Sequence, residues 1–193
     1  HFDLNRVSLG GPIFDQDKLS WLNGLWIRDN FTIEQLATRF QEWALNKEFL
    51  MSVLPHLQPR MDTLSDAAPI AAFLLSGQLE LTAEQFESKK VDQDLAKKIL
   101  QFSLWKMEAL QNWNRDAISD ELMALAEGME LKIRDFLSPI FIAIAGSSAS
   151  ISVMDSMELL GPDMSRARLR HAVNLLGGVG KKQLKKLEKE YKT

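Results

Sequence analysis

The chain has 193 residues, 46% of them hydrophobic, and a formal net charge of −3. It has no cysteine and no run of 18 apolar residues, which excludes a disulfide framework, a cysteine-based zinc site and a membrane-spanning helix. Its length suits one large or two small domains, and the lack of cysteine favours a cytoplasmic protein. The sequence begins at His1 without a signal segment, so we expect a piece of a longer protein.

Charge is distributed unevenly along the chain. Residues 163–193 contain nine Lys or Arg and three Asp or Glu, whereas the rest of the chain contains 14 basic and 23 acidic residues. A basic end on an acidic body can present a local phosphate-facing surface despite the negative total. A solvated helix end is the alternative explanation of the same charges.

Apolar residues recur at spacings of three and four along almost the whole chain, and no stretch shows the alternation of a strand. This pattern predicts an all-α protein. Helix starts are marked by capping residues such as Asp15, and by Thr32 with Gln35 as a capping box. The predicted helical segments begin after Asp15 and continue, in chain order, at 32–46, 47–57, 62 or 63 to 77, 82–86, 92 or 94 to 110, 114 or 116 to 126, 131–145, 152–160, 165–176 and 181–192.

Prolines and tryptophans refine this prediction. Pro55 is expected to bend or end its helix, and Pro139 is expected to kink its helix or to begin a new one. Four tryptophans at helical spacing are expected in the core or between helices, and a fifth, Trp113, begins a helix. The four are Trp21, Trp26, Trp43 and Trp105.

Residues 6–28, RVSLGGPIFDQDKLSWLNGLWIR, join a glycine–proline turn to the first helix. This stretch closely resembles the segment of bacterial glutamyl-tRNA synthetases that follows the catalytic core. The resemblance returns in the family's order at Gln58–Leu64 (QPRMDTL), at Trp113, and between Ser138 and Gly161. In all it covers about residues 4–176.

The resemblance implies a helical bundle or cage of two packed subdomains, the anticodon-binding type found in class I synthetases. It implies a connector from the catalytic core over 1–14, a stem-contacting subdomain over 15–76 and an anticodon-loop-binding subdomain over 77–178. The basic helix over 179–193 extends beyond the family's typical end.

Members of this family attach glutamate to its tRNA with ATP and Mg²⁺, using an N-terminal Rossmann domain. The His-Ile-Gly-His-type and Lys-Met-Ser-Lys-Ser-type signatures of that domain do not occur in this sequence. The resemblance therefore implies the tRNA-reading portion alone, with no catalytic residue, metal or cofactor of its own, and inactive by itself. Its implied partners are glutamate tRNA and its own N-terminal catalytic domain, without a membrane, and we expect a monomer.

Arg60 matches the arginine with which the family reads the third anticodon base. A guanidinium suits this task because it donates hydrogen bonds in a fixed plane or stacks on a base. Ser150 and Val153 lie in a stretch that matches the loop touching the anticodon bases, where small residues let splayed bases approach. A surface arginine without a role and an ordinary loop are the alternative explanations.

Two positions depart from the family pattern, which has arginine where this chain has Phe141 and can have arginine at Met123. Phe141 lies on an apolar helix, where it either joins the core or stacks on a base. The two departures favour an alternative function, a helical protein-interaction module that is derived from this domain and no longer reads RNA.

Six basic residues near the C-terminus are candidates for phosphate contacts. The three arginines alternate along one helix, so they cannot share one face. The three lysines lie on the basic face of an amphipathic helix. A solubilising helix end is the alternative explanation. The candidates are Arg166, Arg168, Arg170, Lys181, Lys182 and Lys185.

Overall fold

The computed structural model describes residues 15–147 and 151–191. These residues form α-helices joined by short turns and contain no strand, which confirms the all-α prediction. The helices are α1 Gln16–Asn30, α2 Ile33–Ala44, α3 Lys47–Leu57, α4 Ala67–Leu75, α5 Gln93–Ala109, α6 Arg115–Gly128, α7 Ile133–Ala145, α8 Val153–Leu175 and α9 Lys181–Tyr191, with 3₁₀ helices at Gln58–Arg60, Leu64–Asp66 and Ala83–Phe86.

The chain divides between Phe49 and Leu50 into two compact units, called here the N-terminal and the C-terminal unit. The sequence-based division at Gly77 separates two expected roles in RNA contact, and it stays a prediction. No helix among the described residues has the length and apolar character needed to cross a bilayer.

In the N-terminal unit, both predicted helix caps are confirmed. The Asp15 carboxylate accepts a hydrogen bond from the Lys18 amide at 3.0 Å. The Thr32 hydroxyl accepts from the Gln35 amide at 3.3 Å, and the Gln35 side chain accepts from the Thr32 amide at 2.9 Å, which completes the capping box. These caps fix where α1 and α2 begin.

The apolar side chains of α1 and α2 are exposed. Trp21, Trp26 and Trp43 are 60%, 60% and 61% exposed, and only Ala44 is buried in these two helices. The prediction that these three tryptophans lie in a core or between helices is therefore wrong within the described chain. Helical spacing predicts that an apolar stripe exists, but it does not say whether this chain covers it.

The C-terminal unit is built around α8, which packs against α5, α6 and α7. Its core includes Ile99, Phe136, Ile140 and Leu169, all fully buried. Trp105 is half-buried and stacks on Phe102 with ring centroids 5.7 Å apart, so its predicted packing role is confirmed.

Pro139 is buried within α7, which runs as one helix from Ile133 to Ala145. Of the two alternatives predicted at Pro139, a new helix beginning there is therefore wrong, and a kink stays a prediction, since the proline removes one helical hydrogen bond. The helix ends at Gly146, whose φ of 77° is the left-handed conformation that glycine adopts at helix ends without strain.

The two helices predicted around 152–160 and 165–176 are the two halves of α8. They meet at Gly161, whose φ of 77° and ψ of 171° interrupt the helix. Pro162 follows at once, in the first position of the second half, where its missing N–H has no intrahelical partner to lose. The second half therefore begins earlier than predicted.

Candidate nucleic-acid interface

Arg60 lies on the surface of the C-terminal unit, in the 3₁₀ helix that follows α3. One of its guanidinium nitrogens donates to the main-chain carbonyl of His56 at 2.7 Å. This bond directs the side chain, and no further partner is found for its other donors among the described residues. The exposed guanidinium therefore keeps donors for a ligand.

The segment after Arg60 is held by Asp66. Its carboxylate accepts hydrogen bonds from the amides of Thr63 at 2.6 Å and Asp62 at 2.9 Å. These amides, Thr63 first, lower the pKa of the Asp66 carboxyl. The turn that presents Arg60 is thus fixed on its C-terminal side by an ionised carboxylate.

Asp155, in the first turn of α8, connects three helix ends. One carboxylate oxygen lies 3.0 Å from the Arg115 Nε, and the other lies 3.8 Å from His56 Nδ1 and accepts from the Ser152 hydroxyl at 2.5 Å. The end of α3 and the beginnings of α6 and α8 therefore meet at this point. We call His56, Arg60, Arg115, Ser152 and Asp155 the Asp155 cluster.

Arg115 is the cation that ties α6 to this cluster. Its amide donates to the Glu158 carboxylate at 3.0 Å, and its guanidinium also binds Asp116 at 3.0 Å. The hydrogen bond to Asp116 and the charge of Asp155 raise the pKa of Arg115. Sequence reasoning missed Arg115 and His56, because neither has a local signal that pairs it with a residue 40 to 100 positions away.

The predicted base-contacting loop is described only in part. Ser150 lies outside the described residues. The Val153 side chain is fully buried in the core, so only the main chain of Val153 is available to a base. Ser152 caps α8 by accepting from the Asp155 amide at 3.3 Å, and the positive helix end lies beside the cluster.

Arg168 is 1% exposed and occupies the core of the C-terminal unit. Its guanidinium donates to the carbonyls of Phe73 and Ser76, both at 2.6 Å, to that of Gly77 at 2.9 and 3.2 Å, and to that of Ile144. Burial lowers its pKa to about 10, which still leaves it charged at neutral pH. Because none of these donors faces solvent, we leave Arg168 out of the proposed phosphate contacts.

Arg166 is also committed to the fold. It donates to the carbonyls of Met107 at 2.9 Å and Leu110 at 3.3 Å, and its guanidinium lies 5.5 Å from the centroid of the Trp113 ring. Trp113 in turn donates to the Met157 carbonyl at 3.0 Å. Arg166 thus closes the C-terminal end of α5, as a cation at that end should.

The remaining phosphate candidates are exposed. Arg170 pairs with Glu108 at 2.6 Å. Within the described part of the chain, Lys181, Lys182 and Lys185 have no ion-pair partner, and all three lie on α9. Arg170 and these lysines therefore remain as the exposed candidates, whereas Arg166 and Arg168 bind main-chain carbonyls.

The two departures from the family pattern differ in exposure. Met123 is 53% exposed and accepts a contact from the Ser119 hydroxyl at 3.6 Å. Phe141 is half-buried and packs against the core of the C-terminal unit. Phe141 therefore serves packing, and Met123 leaves an uncharged, accessible side chain at its position.

Comparison with known proteins gives a consistent match. A family model described as an anticodon binding domain matches residues 35–173. Glutamate–tRNA ligases from Cellvibrio japonicus and Marinomonas sp. are 61% and 55% identical over 191 residues, or 99% of this chain. The chain spans 38% and 39% of the length of these two relatives and matches their C-terminal part.

A solved structure of a glutamate tRNA ligase from Elizabethkingia meningosepticum, in complex with its amino acid, is similar in fold. The TM-score is 0.57 at 19% sequence identity, and the match covers 91% of this chain and 35% of that chain. At this identity the likeness concerns the fold alone.

Proposed function

Because this chain belongs to the anticodon binding domain family, we propose that it recognises the anticodon of glutamate tRNA as the C-terminal part of a glutamate–tRNA ligase. The observation that supports this most is the Asp155 cluster, where exposed Arg60 is bonded to the His56 carbonyl and the His56 ring lies 3.8 Å from Asp155 at the capped beginning of α8. The beginnings of α6 and α8, which carry the positive ends of their helix dipoles, are joined there by Arg115 and Asp155. Such a surface suits RNA, which carries a phosphate at every nucleotide.

Arg60 would act on a base rather than on a phosphate. Single-stranded loops are read by splaying bases out, stacking them and contacting their edges, and a guanidinium plane can do both. Next to Arg60 in the chain lies a cleft of about 460 Å³, lined in part by Leu54, Met61 and Leu64. Leu64 is 90% exposed, so the cleft offers an apolar wall against which a base can lie.

We propose that phosphate contacts around this surface come from exposed cations. Arg115 belongs to the Asp155 cluster, and Arg170, Lys181, Lys182 and Lys185 are exposed. Arg166 is half-buried, with its guanidinium over the Trp113 ring, so it would contribute less than the exposed cations. These contacts would add affinity without sequence preference.

We further propose that the whole protein attaches glutamate to its tRNA in the cytoplasm, with ATP and Mg²⁺ held by its catalytic part. The exposed tryptophans of α1 and α2 would pack against that part. Indoles exposed to this degree are common at interfaces, where they bury a large apolar area. The alternative of a protein-interaction module that no longer reads RNA is not favoured by the comparisons.

The test is fluorescence anisotropy of this chain with glutamate tRNA and with the same tRNA altered only at the third anticodon base. We expect the altered tRNA to bind about tenfold more weakly, equivalent to roughly 1.4 kcal/mol. Arg60→Ala should abolish that ratio. Arg170→Ala, which removes an exposed arginine already paired with Glu108, should preserve it.

Measurements at two salt concentrations separate phosphate attraction from base reading, since only the former weakens steeply with salt. Equal binding of both tRNAs by the unaltered chain would contradict base reading by Arg60. A ratio that survives Arg60→Ala would assign base reading to other residues.

A further inference from the structure

A second basic surface lies where the beginning of α7 faces the loop before α5. The two segments enclose an open cleft of about 490 Å³. Four cations and one carboxylate line it: Lys89, Lys90, Lys132, Arg134 and Asp135. None of these residues belongs to the Asp155 cluster or to the basic C-terminal helix.

Most of the charge in this cleft is not neutralised by the protein. Lys90 lies 3.4 Å from the Asp135 carboxylate. For Lys89, Lys132 and Arg134, no ion pair or side-chain hydrogen bond is found among residues 15–147 and 151–191, and all three are exposed. Three like charges around one concave surface repel one another, and an anionic ligand relieves that repulsion.

The N-terminus of α7 adds to the positive electrostatic potential of the cleft. Lys132 is the N-cap residue of α7, and no side chain caps this helix. A cation at the positive end of a helix is unfavourable by itself, and the first amides of the helix have no intrahelical partner. Other helices have side-chain caps, from Asp15, Thr32, Asp92, Asn114 and Ser152, whereas α4, like α7, has none among the described residues.

Hydroxyl groups complete the lining. Ser88 and Ser138 also face the cleft. The Ser88 hydroxyl oxygen accepts from the Val91 amide at 3.1 Å, and the Ser88 amide donates to the Val91 carbonyl at 2.8 Å. The Ser88 O–H therefore remains as a donor held in place by its own turn.

The cleft lies at the opposite end of α7 from the segment that leads to Ser152. From its N-cap Lys132 at the cleft to its C-cap Gly146, α7 is about 20 Å long at 1.5 Å per residue. The chain then reaches Ser152 of the Asp155 cluster within six residues. A single RNA stem–loop is long enough to contact both ends of α7.

We propose that this cleft binds backbone phosphates of the same RNA whose anticodon the Asp155 cluster reads, an inference that rests on the proposed function. Lys132 and Arg134 donate to phosphate oxygens, with Lys89 and the Ser88 hydroxyl on the opposite wall. Such contacts fix the register of the RNA and carry no base preference. They add a salt-sensitive contribution to the affinity for RNA. This contribution offsets the repulsion between the phosphates and the acidic part of the chain.

The test is the salt dependence of RNA binding by the double variant Lys132→Gln, Arg134→Gln. The slope of log K against log salt should become less steep by roughly 1 to 2, one step per lost phosphate contact. The ratio between the two tRNAs that differ at the third anticodon base should stay unchanged, since these residues do not touch bases.

The matched control is Lys98→Gln, Lys186→Gln. It removes the same total charge, but from cations that lie 2.5 and 3.9 Å from Glu190. The control should change the slope by less than half as much, which separates local contact from net charge. Thermal unfolding of both variants checks that the fold is retained.

Two results overturn the inference, and they are distinguishable. If the unaltered chain distinguishes the two tRNAs but the Lys132, Arg134 variant keeps its salt slope, the cleft does not contact RNA while the proposed function stands. If the unaltered chain does not distinguish them at all, the proposed function fails and this inference fails with it.

Discussion

The N-terminal and C-terminal units are made from the same kind of element, yet they treat their apolar side chains in opposite ways. The stripe of α2 runs through Ile33, Phe40 and Trp43, which are 79%, 49% and 61% exposed. In the C-terminal unit, apolar residues of α5 and α7 such as Ile99, Phe136 and Ile140 are fully buried in the core around α8. Amphipathic helices therefore predict that a partner exists, and only the packing shows whether the same chain provides it.

This difference in the exposure of apolar side chains indicates different roles for the two units. The C-terminal unit completes its own core and can hold a rigid ligand-binding surface. The N-terminal unit leaves many large apolar side chains of α1 and α2 exposed, as interface helices do. This contrast supports the proposal that α1 and α2 contact a catalytic part, since the chain spans less than two fifths of the length of its Cellvibrio japonicus relative.

The largest expected effect is in the core of the C-terminal unit. Phe136 on α7 is fully buried, so Phe136→Ala removes a ring that its neighbours cannot replace. We expect a loss of about 3 to 5 kcal/mol in the free energy of unfolding, measured by urea denaturation. A loss below about 1 kcal/mol would contradict the packing described for α7 and α8.

Arg168→Ala should be nearly as harmful, because it leaves four main-chain carbonyls without their donor. The expected loss is about 3 kcal/mol, given that each buried unsatisfied group costs roughly 1 to 3 kcal/mol. Arg170→Ala, two residues along and exposed, should change stability by at most about 1 kcal/mol. Similar losses for the two variants in the same denaturation experiment would show that the hydrogen bonds from Arg168 to these carbonyls do not stabilise the fold.

Gly161→Ala should have an intermediate effect. The φ of 77° and ψ of 171° at Gly161 lie in a region that is open almost only to glycine, and forcing alanine there costs about 1 to 3 kcal/mol. Gly128→Ala is the matched control, because a Cβ there meets no atom within 4 Å and alanine favours a helix. If both substitutions leave the melting temperature unchanged, the backbone conformation at Gly161 does not require glycine.

The smallest effect is expected in the N-terminal unit. Trp43→Ala removes an even larger side chain than Phe136→Ala, but from a residue that is 61% exposed. Its effect on the unfolding of this chain should stay within about 0.5 kcal/mol. A loss approaching that of Phe136→Ala would mean that this chain covers its own α2 stripe, and the contrast between the units would disappear.

Local chemistry explains what the sequence could predict. Thr32 with Gln35 marked the start of α2 correctly, because a cap is a bond between residues three apart. The sequence left two possible starts for each of α5 and α6, and the structure has the caps at Asp92 and Asn114. The break in α8 at Gly161 falls between the two helices predicted at 152–160 and 165–176. At Pro139 the sequence left a kink and a new helix as alternatives, because a proline can remain inside a helix that is held by its surroundings.

The candidate site was predictable only in part, since it is assembled from distant residues. Arg60 came from the resemblance alone. The Asp155 cluster joins residues from three helix ends, and the basic cleft joins Lys89 to Arg134; no local pattern links either set. Arg168 did carry a signal, because Ser165 lies three residues before it and Ala172 lies four residues after it, on the same face of α8. A charge count along the sequence cannot distinguish such a buried arginine from an exposed one.

The most direct test of the central claim is to locate the anticodon loop on the chain. A glutamate tRNA with a photoreactive nucleotide in its anticodon loop would be cross-linked to the chain, and the attachment site read by mass spectrometry. Cross-links within 56–64 and 151–155 are the result that the anticodon-reading role of Arg60 and the Asp155 cluster predicts. Cross-links confined to α1 and α2, or to α9, would contradict it.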